Sequence, residues 1–142
     1  MTNRMKVEFD SISANEAFAR VTVAAFLTQL NPSVEEVADV KTAVSEAVTN
    51  AIIHGYQGEV HTITIEGELE GDLLTLRVRD EGVGIADIGQ AMEPLYTSRP
   101  ELERSGMGFL FMEAFMDEVL VESEPGKGTC VTLRKRIGRG KD

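Results

Sequence analysis

The chain has 142 residues, 42% of them apolar, and carries 24 acidic against 14 basic side chains for a formal net charge of −10. This balance is typical of a globular protein, and the length suits a single domain covering residues 1–142. The acidic surface disfavours direct binding to DNA or RNA, no apolar run is long enough to span a membrane, and the one cysteine, Cys130, suits a reducing cytoplasm.

The first elements predicted along the chain are a short strand and a helix. The strand covers Lys6 to Phe9, and the helix begins at a capping box formed by Ser13 and Glu16 and runs to about Leu30. Arg20 is expected on a flank of this helix, away from its apolar face. The residues expected on the apolar face are Phe18, Val21 and Ala25.

A second helix is predicted from about Val34 to His54. Ser33 and Glu36 repeat the capping-box pattern at its start, and Gly55 follows its end. Its predicted core-facing stripe consists of Val37, Val44, Ala47, Val48, Ala51 and Ile52.

The second half of the chain predicts two hairpins with a loop-rich segment and a helix between them. Alternating apolar residues predict strands at 61–69 and 73–80, and a final pair at 119–122 and 130–137. Between the pairs we expect a short helix near residues 85–92 and a helix that begins near Gly108. The predicted fold class is α+β, a two-layer sandwich with a mostly antiparallel sheet and helices on one face.

Three polar residues, Glu46, Asn50 and His54, recur every four residues on the second helix. This spacing places them on one helix face. An Asn oxygen is a suitable Mg²⁺ ligand, and a Glu beside it can accept a proton from an attacking hydroxyl. A solvated polar face would give the same pattern, and His54 equally suits a cation at a helix C-terminus.

An acidic, glycine-containing run, Asp-Glu-Gly-Val-Gly, occupies residues 80–84 directly after a predicted strand. The carboxylate of Asp80 can accept a hydrogen bond from an exocyclic amine such as that of adenine. Gly82 and Gly84 let the backbone approach a flat base without a Cβ in the way. Such runs are also common as ordinary turns.

A third run, Ser-Gly-Met-Gly at residues 105–108, precedes the predicted third helix. Glycines at a helix start expose backbone N–H groups that can bind phosphate oxygens. The polar stretch before it, residues 94–104, can close over a triphosphate through residues such as Arg99 and Arg104, or can serve as a connector. The hydroxyl of Thr129 can meet the nucleotide or simply lie in a strand.

The order of these motifs resembles the nucleotide site of the GHKL family (gyrase, Hsp90, histidine kinase, MutL), whose fold is the Bergerat ATP-binding sandwich. The resemblance covers nearly the whole chain. More narrowly, four runs are similar to the anti-sigma F factors of spore-forming bacteria, although the loop at 57–60 looks short for that family. These runs are residues 18–26, 45–56, 79–85 and 100–109.

The resemblance implies ATP as the cofactor, ADP as the product and Mg²⁺ as the metal. It implies that Glu46 is the base, that Asn50 is the Mg²⁺ ligand and that Asp80 reads adenine. The further nucleotide contacts that it implies are His54, Gly82, Gly84, Thr97, Arg104, Ser105, Gly106, Met107, Gly108 and Thr129.

The resemblance also implies what the protein does. It implies a homodimer that binds and inhibits a sporulation sigma factor and phosphorylates a serine of an anti-anti-sigma partner. Glu16 and Arg20 would lie on the surface shared by both partners. Two alternatives stay open, a stress-response anti-sigma kinase of the same family and an ATP-dependent module that sequesters sigma without catalysis.

Overall fold

The computed structural model describes residues 2–88 and 108–138. Along the chain the elements are β1 (Thr2–Asp10), α1 (Ala14–Leu27) with a 3₁₀ turn (Thr28–Leu30), α2 (Val34–Asn50) with a π-helical turn (Ala51–Gly55), β2 (Thr62–Glu70), β3 (Leu73–Asp80), α3 (Gly108–Phe115), β4 (Glu118–Glu124) and β5 (Gly128–Arg136).

The five strands form one antiparallel sheet in the order β1-β2-β3-β5-β4. Alternate residues of β2 and β3, such as Ile63, Ile65 and Leu76, are fully buried in the same core as α1 and α2. The opposite face carries charged side chains, including Lys6 paired in register with Glu66. The helices therefore cover one face of the sheet, which confirms the predicted α+β sandwich.

Both predicted hairpins are present. The strands at 62–70 and 73–80 differ from the predicted bounds by one residue at most, because alternation over a half-buried strand is a local signal. β1 is longer than predicted and covers nine residues, because its pairing with β2 continues through polar positions as far as Thr2. The short helix expected near residues 85–92 lies largely outside the described residues.

The start of α2 confirms its predicted capping box. The hydroxyl of Ser33 accepts the Glu36 N–H at 3.1 Å, and the Glu36 carboxylate accepts the Ser33 N–H at 2.9 Å. The box predicted at Ser13 is wrong. Ser13 has helical backbone angles, φ −55° and ψ −34°, and its side chain makes no capping hydrogen bond. A residue that caps a helix needs extended angles, which Ser13 does not adopt.

The predicted apolar face of α1 is also wrong. The buried residues are Ala19, Val23, Phe26 and Leu27, whereas Phe18 is 50% exposed and Val21 64% exposed. Both sets have helical spacing, so periodicity alone cannot decide between them, and packing against α2 and the sheet selects the first. A face with exposed apolar side chains is left on the outside of α1. No helix in the described ranges is both long and apolar enough to cross a membrane.

Candidate functional site

The second helix carries the first predicted site residues and ends in an unusual turn. Glu46 and Asn50 lie on α2, and both are half-buried. The next five residues form a π-helical turn, closed by the Tyr56 N–H donating to the Ala51 carbonyl at 2.9 Å. His54 lies in this wider turn, so the helix reaches Gly55 as predicted but not with α-helical geometry throughout. Single π turns recur at functional sites.

The start of α3 lies directly against the Glu46–Asn50 face. A Cβ placed on Gly108 would lie 3.2 Å from Oε2 of Glu46 and 3.3 Å from both the side-chain oxygen and nitrogen of Asn50. The fold thus brings together two motifs that are far apart in sequence, because α2 and α3 pack against each other. Of the predicted phosphate-binding run, Gly108 is the member that the structure describes. Thr97, Arg104, Ser105, Gly106 and Met107 lie outside the described residues.

Asp80 ends β3 and is buried, with 8% of its surface exposed. Its Oδ1 accepts a hydrogen bond from the Gly82 N–H at 2.9 Å. Burial raises the pKa of this carboxyl, and the backbone N–H groups of Gly82 and Thr129 partly oppose the rise by stabilising the anion. A buried carboxylate with unsaturated acceptor capacity is suited to receive a further donor from a ligand.

The Asp80–Gly84 loop is packed tightly against the turn at Gly55. A Cβ on Gly82 would lie 2.0 Å from the Gly55 carbonyl oxygen, and a Cβ on Gly55 would lie 2.8 Å from the Asp80 carboxyl group. Val83 N–H also donates to the Gly55 carbonyl at 2.9 Å. Gly84 has φ +76° and lies against the backbone of Glu124. The glycines of the motif are therefore required by contacts of the chain with itself.

Comparison with known proteins agrees with this geometry. Residues 11–135 match the family model described as a histidine kinase-like ATPase domain. The anti-sigma F factor of Clostridium beijerinckii is 60% identical over 95% of this chain and 95% of its own length. That of Geobacillus thermodenitrificans is 58% identical over 99% of this chain and 97% of its own. This chain belongs to the anti-sigma F factor family.

A solved structure gives independent support for the fold. The crystal structure of the RsbU and RsbW domains of a Mycobacterium tuberculosis protein superposes with a TM-score of 0.67 at 22% sequence identity. The match covers 95% of this chain and 32% of that one. The family resemblance and the ATP-binding fold predicted from the sequence are thus confirmed.

Two side chains that are not among the predicted site residues of this anti-sigma F family member hold its candidate site together. The phenol oxygen of Tyr56 accepts the Glu81 N–H at 2.7 Å and donates to the Thr62 carbonyl at 2.5 Å. The hydroxyl of Ser123 accepts the Ile85 N–H at 2.7 Å. A polar side chain just after a helix end was the only sequence signal for Tyr56.

Ser123 also determines the surroundings of Thr129. Its hydroxyl donates to the Gly128 carbonyl at 2.8 Å and lies 2.8 Å from the Thr129 hydroxyl. Thr129 is paired with Asp80 across β5 and β3. The Thr129 hydroxyl is therefore already engaged by the protein, while its backbone lies beside the buried carboxylate.

The two residues predicted to contact protein partners lie where α1 meets α2. Nε of Arg20 is 3.1 Å from the Glu16 carboxylate, and the two side chains are 38% and 23% exposed. The Ser45 hydroxyl, on α2, donates to the same Glu16 carboxylate. Arg20 is therefore neither fully solvated nor free, and Glu16 links it to the residue that precedes Glu46.

Proposed function

We propose that this protein binds and inhibits a sporulation sigma factor and, with ATP and Mg²⁺, phosphorylates a serine of an anti-anti-sigma partner. The observation that carries the proposal is the close approach of Gly108 to both Glu46 and Asn50. A helix start offers backbone N–H groups to phosphate oxygens. Its position beside a carboxylate and a carboxamide would bring an anion-binding element, a general base and a metal ligand to one place.

In the proposed reaction Glu46 accepts the proton of the partner's serine hydroxyl as that oxygen attacks the γ-phosphorus of ATP. The bond from this phosphorus to the oxygen that bridges it to the β-phosphate breaks, and ADP leaves. Phosphoryl transfer depends mainly on positioning and charge stabilisation, so one base and a set of donors are sufficient protein chemistry. The half-buried position of Glu46 beneath the start of α3 fits this role, since it keeps the carboxylate near the phosphate-binding element.

The residues present fit a magnesium ion held mainly by the nucleotide. Among residues 2–88 and 108–138, no three His, Cys, Asp or Glu side chains are grouped so that they could hold a metal. Mg²⁺ bound to nucleotides commonly takes one or two protein oxygens and completes its shell with phosphates and water. Asn50 would supply the protein oxygen, and the bound ion would neutralise charge on the phosphates. Because residue 108 is a glycine, no side chain from this position fills the space beside Asn50.

We assign the base of the nucleotide to the Asp80–Gly84 loop. Asp80 would accept the exocyclic amine of adenine, and its burial makes that hydrogen bond stronger than one in water. Gly55 touches Asp80 and lies nine residues beyond Glu46, in the π-helical turn that continues the same helix. The adenine end and the phosphate end of the bound nucleotide would thus lie at different positions along one helix.

We assign partner binding to the outer side of α1, that is, to the exposed Phe18 and Val21 together with Glu16 and Arg20 at the border with α2. Phe18 and Val21, on the same helix as Arg20, are at least half exposed, and an arginine together with exposed apolar side chains is typical of protein interfaces. A homodimer is part of the proposal, and β1 supports it as an edge strand of nine residues. The proposed location is the cytoplasm, where sigma factors act.

Glu46→Gln tests the proposal. The purified protein is incubated with labelled ATP, Mg²⁺ and an anti-anti-sigma candidate, and ATP affinity is measured by calorimetry. We expect phosphotransfer to fall by roughly 10²–10⁴-fold, because the amide cannot take the proton, while ATP affinity stays within about threefold. Glu35→Gln is the matched control, since it removes an exposed carboxylate from the same helix.

The same assay, together with a pull-down of the native partner, separates the alternatives. A wild-type protein that binds ATP but transfers no phosphate would be a sequestering module. Near-normal transfer by Glu46→Gln would remove Glu46 from the mechanism. Recovery of a stress-response sigma factor as the native partner would replace the sporulation client and leave the kinase assignment intact.

A further inference from the structure

Tyr56 connects three segments of the chain at the end of the site that we assign to adenine. Its backbone N–H closes the π turn on Ala51. Tyr56 is 6% exposed, and its phenol bridges the Glu81 N–H and the Thr62 carbonyl at the start of β2. The phenol is therefore both donor and acceptor in one short chain of hydrogen bonds from the Asp80–Gly84 loop to β2.

The Glu81 amide that Tyr56 binds lies between the proposed adenine reader, Asp80, and Gly82, whose N–H holds the Asp80 carboxylate. The other described contacts between this loop and the turn at Gly55 are the Val83 N–H bond to the Gly55 carbonyl and the close approach of Gly82 and of the Asp80 carboxyl group to Gly55. The phenol hydroxyl is thus a side-chain group in this contact that can be deleted without altering the backbone.

We propose that Tyr56 is a positioning residue that sets the Asp80–Gly84 loop for recognition of the adenine base. The inference rests on the proposed function, because it assumes that Asp80 receives the base. Loss of the phenol oxygen leaves the Glu81 N–H without its acceptor, so the loop gains freedom at the residue next to Asp80. Affinity for adenine should fall, whereas groups that hold phosphate should be unaffected.

A second buried hydroxyl provides a matched control. Ser11 is 4% exposed, its hydroxyl donates to the Glu59 carbonyl at 3.0 Å, and it accepts the His61 N–H at 2.9 Å. It therefore bridges one backbone donor and one backbone acceptor, as Tyr56 does. Its partners lie in the 59–61 segment and not in the Asp80–Gly84 loop. Ser11→Ala should lower stability comparably without changing base recognition.

The test compares dissociation constants for ATP and GTP in wild type, Tyr56→Phe and Ser11→Ala, well below each melting temperature. We expect Tyr56→Phe to lose about tenfold in ATP affinity, which corresponds to one hydrogen bond of about 1.4 kcal/mol, with GTP affinity within twofold of wild type. Preference for ATP then falls by the same factor. Ser11→Ala should keep wild-type affinities for both nucleotides.

Two outcomes would overturn the proposal: unchanged ATP preference in Tyr56→Phe, or an equal loss in Ser11→Ala. Absence of ATP binding by the wild type would instead reject the proposed function itself. Amide hydrogen exchange on the wild type needs no variant, so it tests the proposal even if Tyr56→Phe folds poorly. ATP should slow exchange at Glu81 more than at His61, and equal slowing, or none at either amide, would contradict a positioning role.

Discussion

The Asp80–Gly84 loop and the outer side of α1 are built in opposite ways. In the loop, Gly82 has no room for a single added carbon, and Asp80 is buried among backbone donors. On α1, Phe18 and Val21 are at least half exposed, and Arg20 is fixed by one ion pair with Glu16. Substitutions in the loop should therefore affect structure and ligand binding together. Substitutions on α1 should affect binding to other proteins alone.

The largest effect is expected for Gly82→Ala. The added Cβ would lie 2.0 Å from the Gly55 carbonyl oxygen and 2.4 Å from its carbon, and backbone atoms cannot move aside as a flexible side chain can. Overpacking typically costs about 1–3 kcal/mol, occasionally more, and we expect the upper end together with loss of detectable ATP binding. Chemical denaturation and calorimetry measure the two effects.

Gly71→Ala is the control for that variant. Gly71 has φ +60° and no atom within 4 Å of an added Cβ, so the cost is the left-handed backbone alone, about 1–2 kcal/mol. ATP affinity should stay at the wild-type value. If Gly82→Ala also bound ATP normally, the tight contact with Gly55 would have no part in the nucleotide site.

Asp80→Asn is expected to weaken ATP binding less than Gly82→Ala does, and to raise stability where Gly82→Ala lowers it. A hydrogen bond to a charged acceptor is worth about 1.5–3 kcal/mol, so ATP affinity should fall roughly tenfold to a hundredfold. Asp72→Asn is the control, because Asp72 lies beyond the far end of β3, where it pairs with Arg136 at 2.6 Å. Equal ATP affinity in wild type and Asp80→Asn would leave the loop as an ordinary turn.

The pH dependence of the same variant sharpens the comparison. Burial raises the pKa of Asp80, so the folded protein holds this proton more tightly than the unfolded chain. The contribution of Asp80 to folding stability therefore falls as pH rises from the ordinary carboxyl pKa of the unfolded chain through the raised pKa of the folded protein. Above the raised pKa the full loss of stability remains. Asn has no such titration. Asp80→Asn should gain stability relative to wild type across that window and keep the gain at neutral pH.

The sequence could predict the features that depend on neighbouring residues, but not those that depend on tertiary packing. The β2–β3 hairpin and the Ser33 capping box depend on signals within a few residues, and both were predicted correctly. The buried face of α1 was not, because two stripes with helical spacing compete and tertiary packing selects one. The hydrogen bonds of Tyr56 could not be predicted from the sequence either, since its hydroxyl accepts the N–H of Glu81, which is 25 residues away.

The smallest overall disturbance is expected for Arg20→Ala, which tests whether the outer side of α1 is separate from the nucleotide site. Arg20 is 38% exposed at its side chain and paired with Glu16, so its contribution to stability should be a few tenths of a kcal/mol. Truncation of an arginine at an interface hot spot costs about 2 kcal/mol or more, or roughly thirtyfold in affinity. We expect that loss for both sigma and the anti-anti-sigma protein, with ATP affinity and thermal stability nearly unchanged.

The hydrogen bond from Ser45 to Glu16 is a possible link between the partner surface on α1 and the proposed nucleotide site. After Arg20→Ala, Glu16 would still be held by the Ser45 hydroxyl, next to Glu46 on α2. Ser45→Ala is therefore the companion variant, and each partner is titrated against both proteins with and without ATP. If Ser45→Ala changed ATP affinity as well as partner affinity, the two regions would be coupled through Glu16. Wild-type partner affinity in Arg20→Ala would instead remove this side of α1 from the interface, because no other role assigned to Arg20 affects binding.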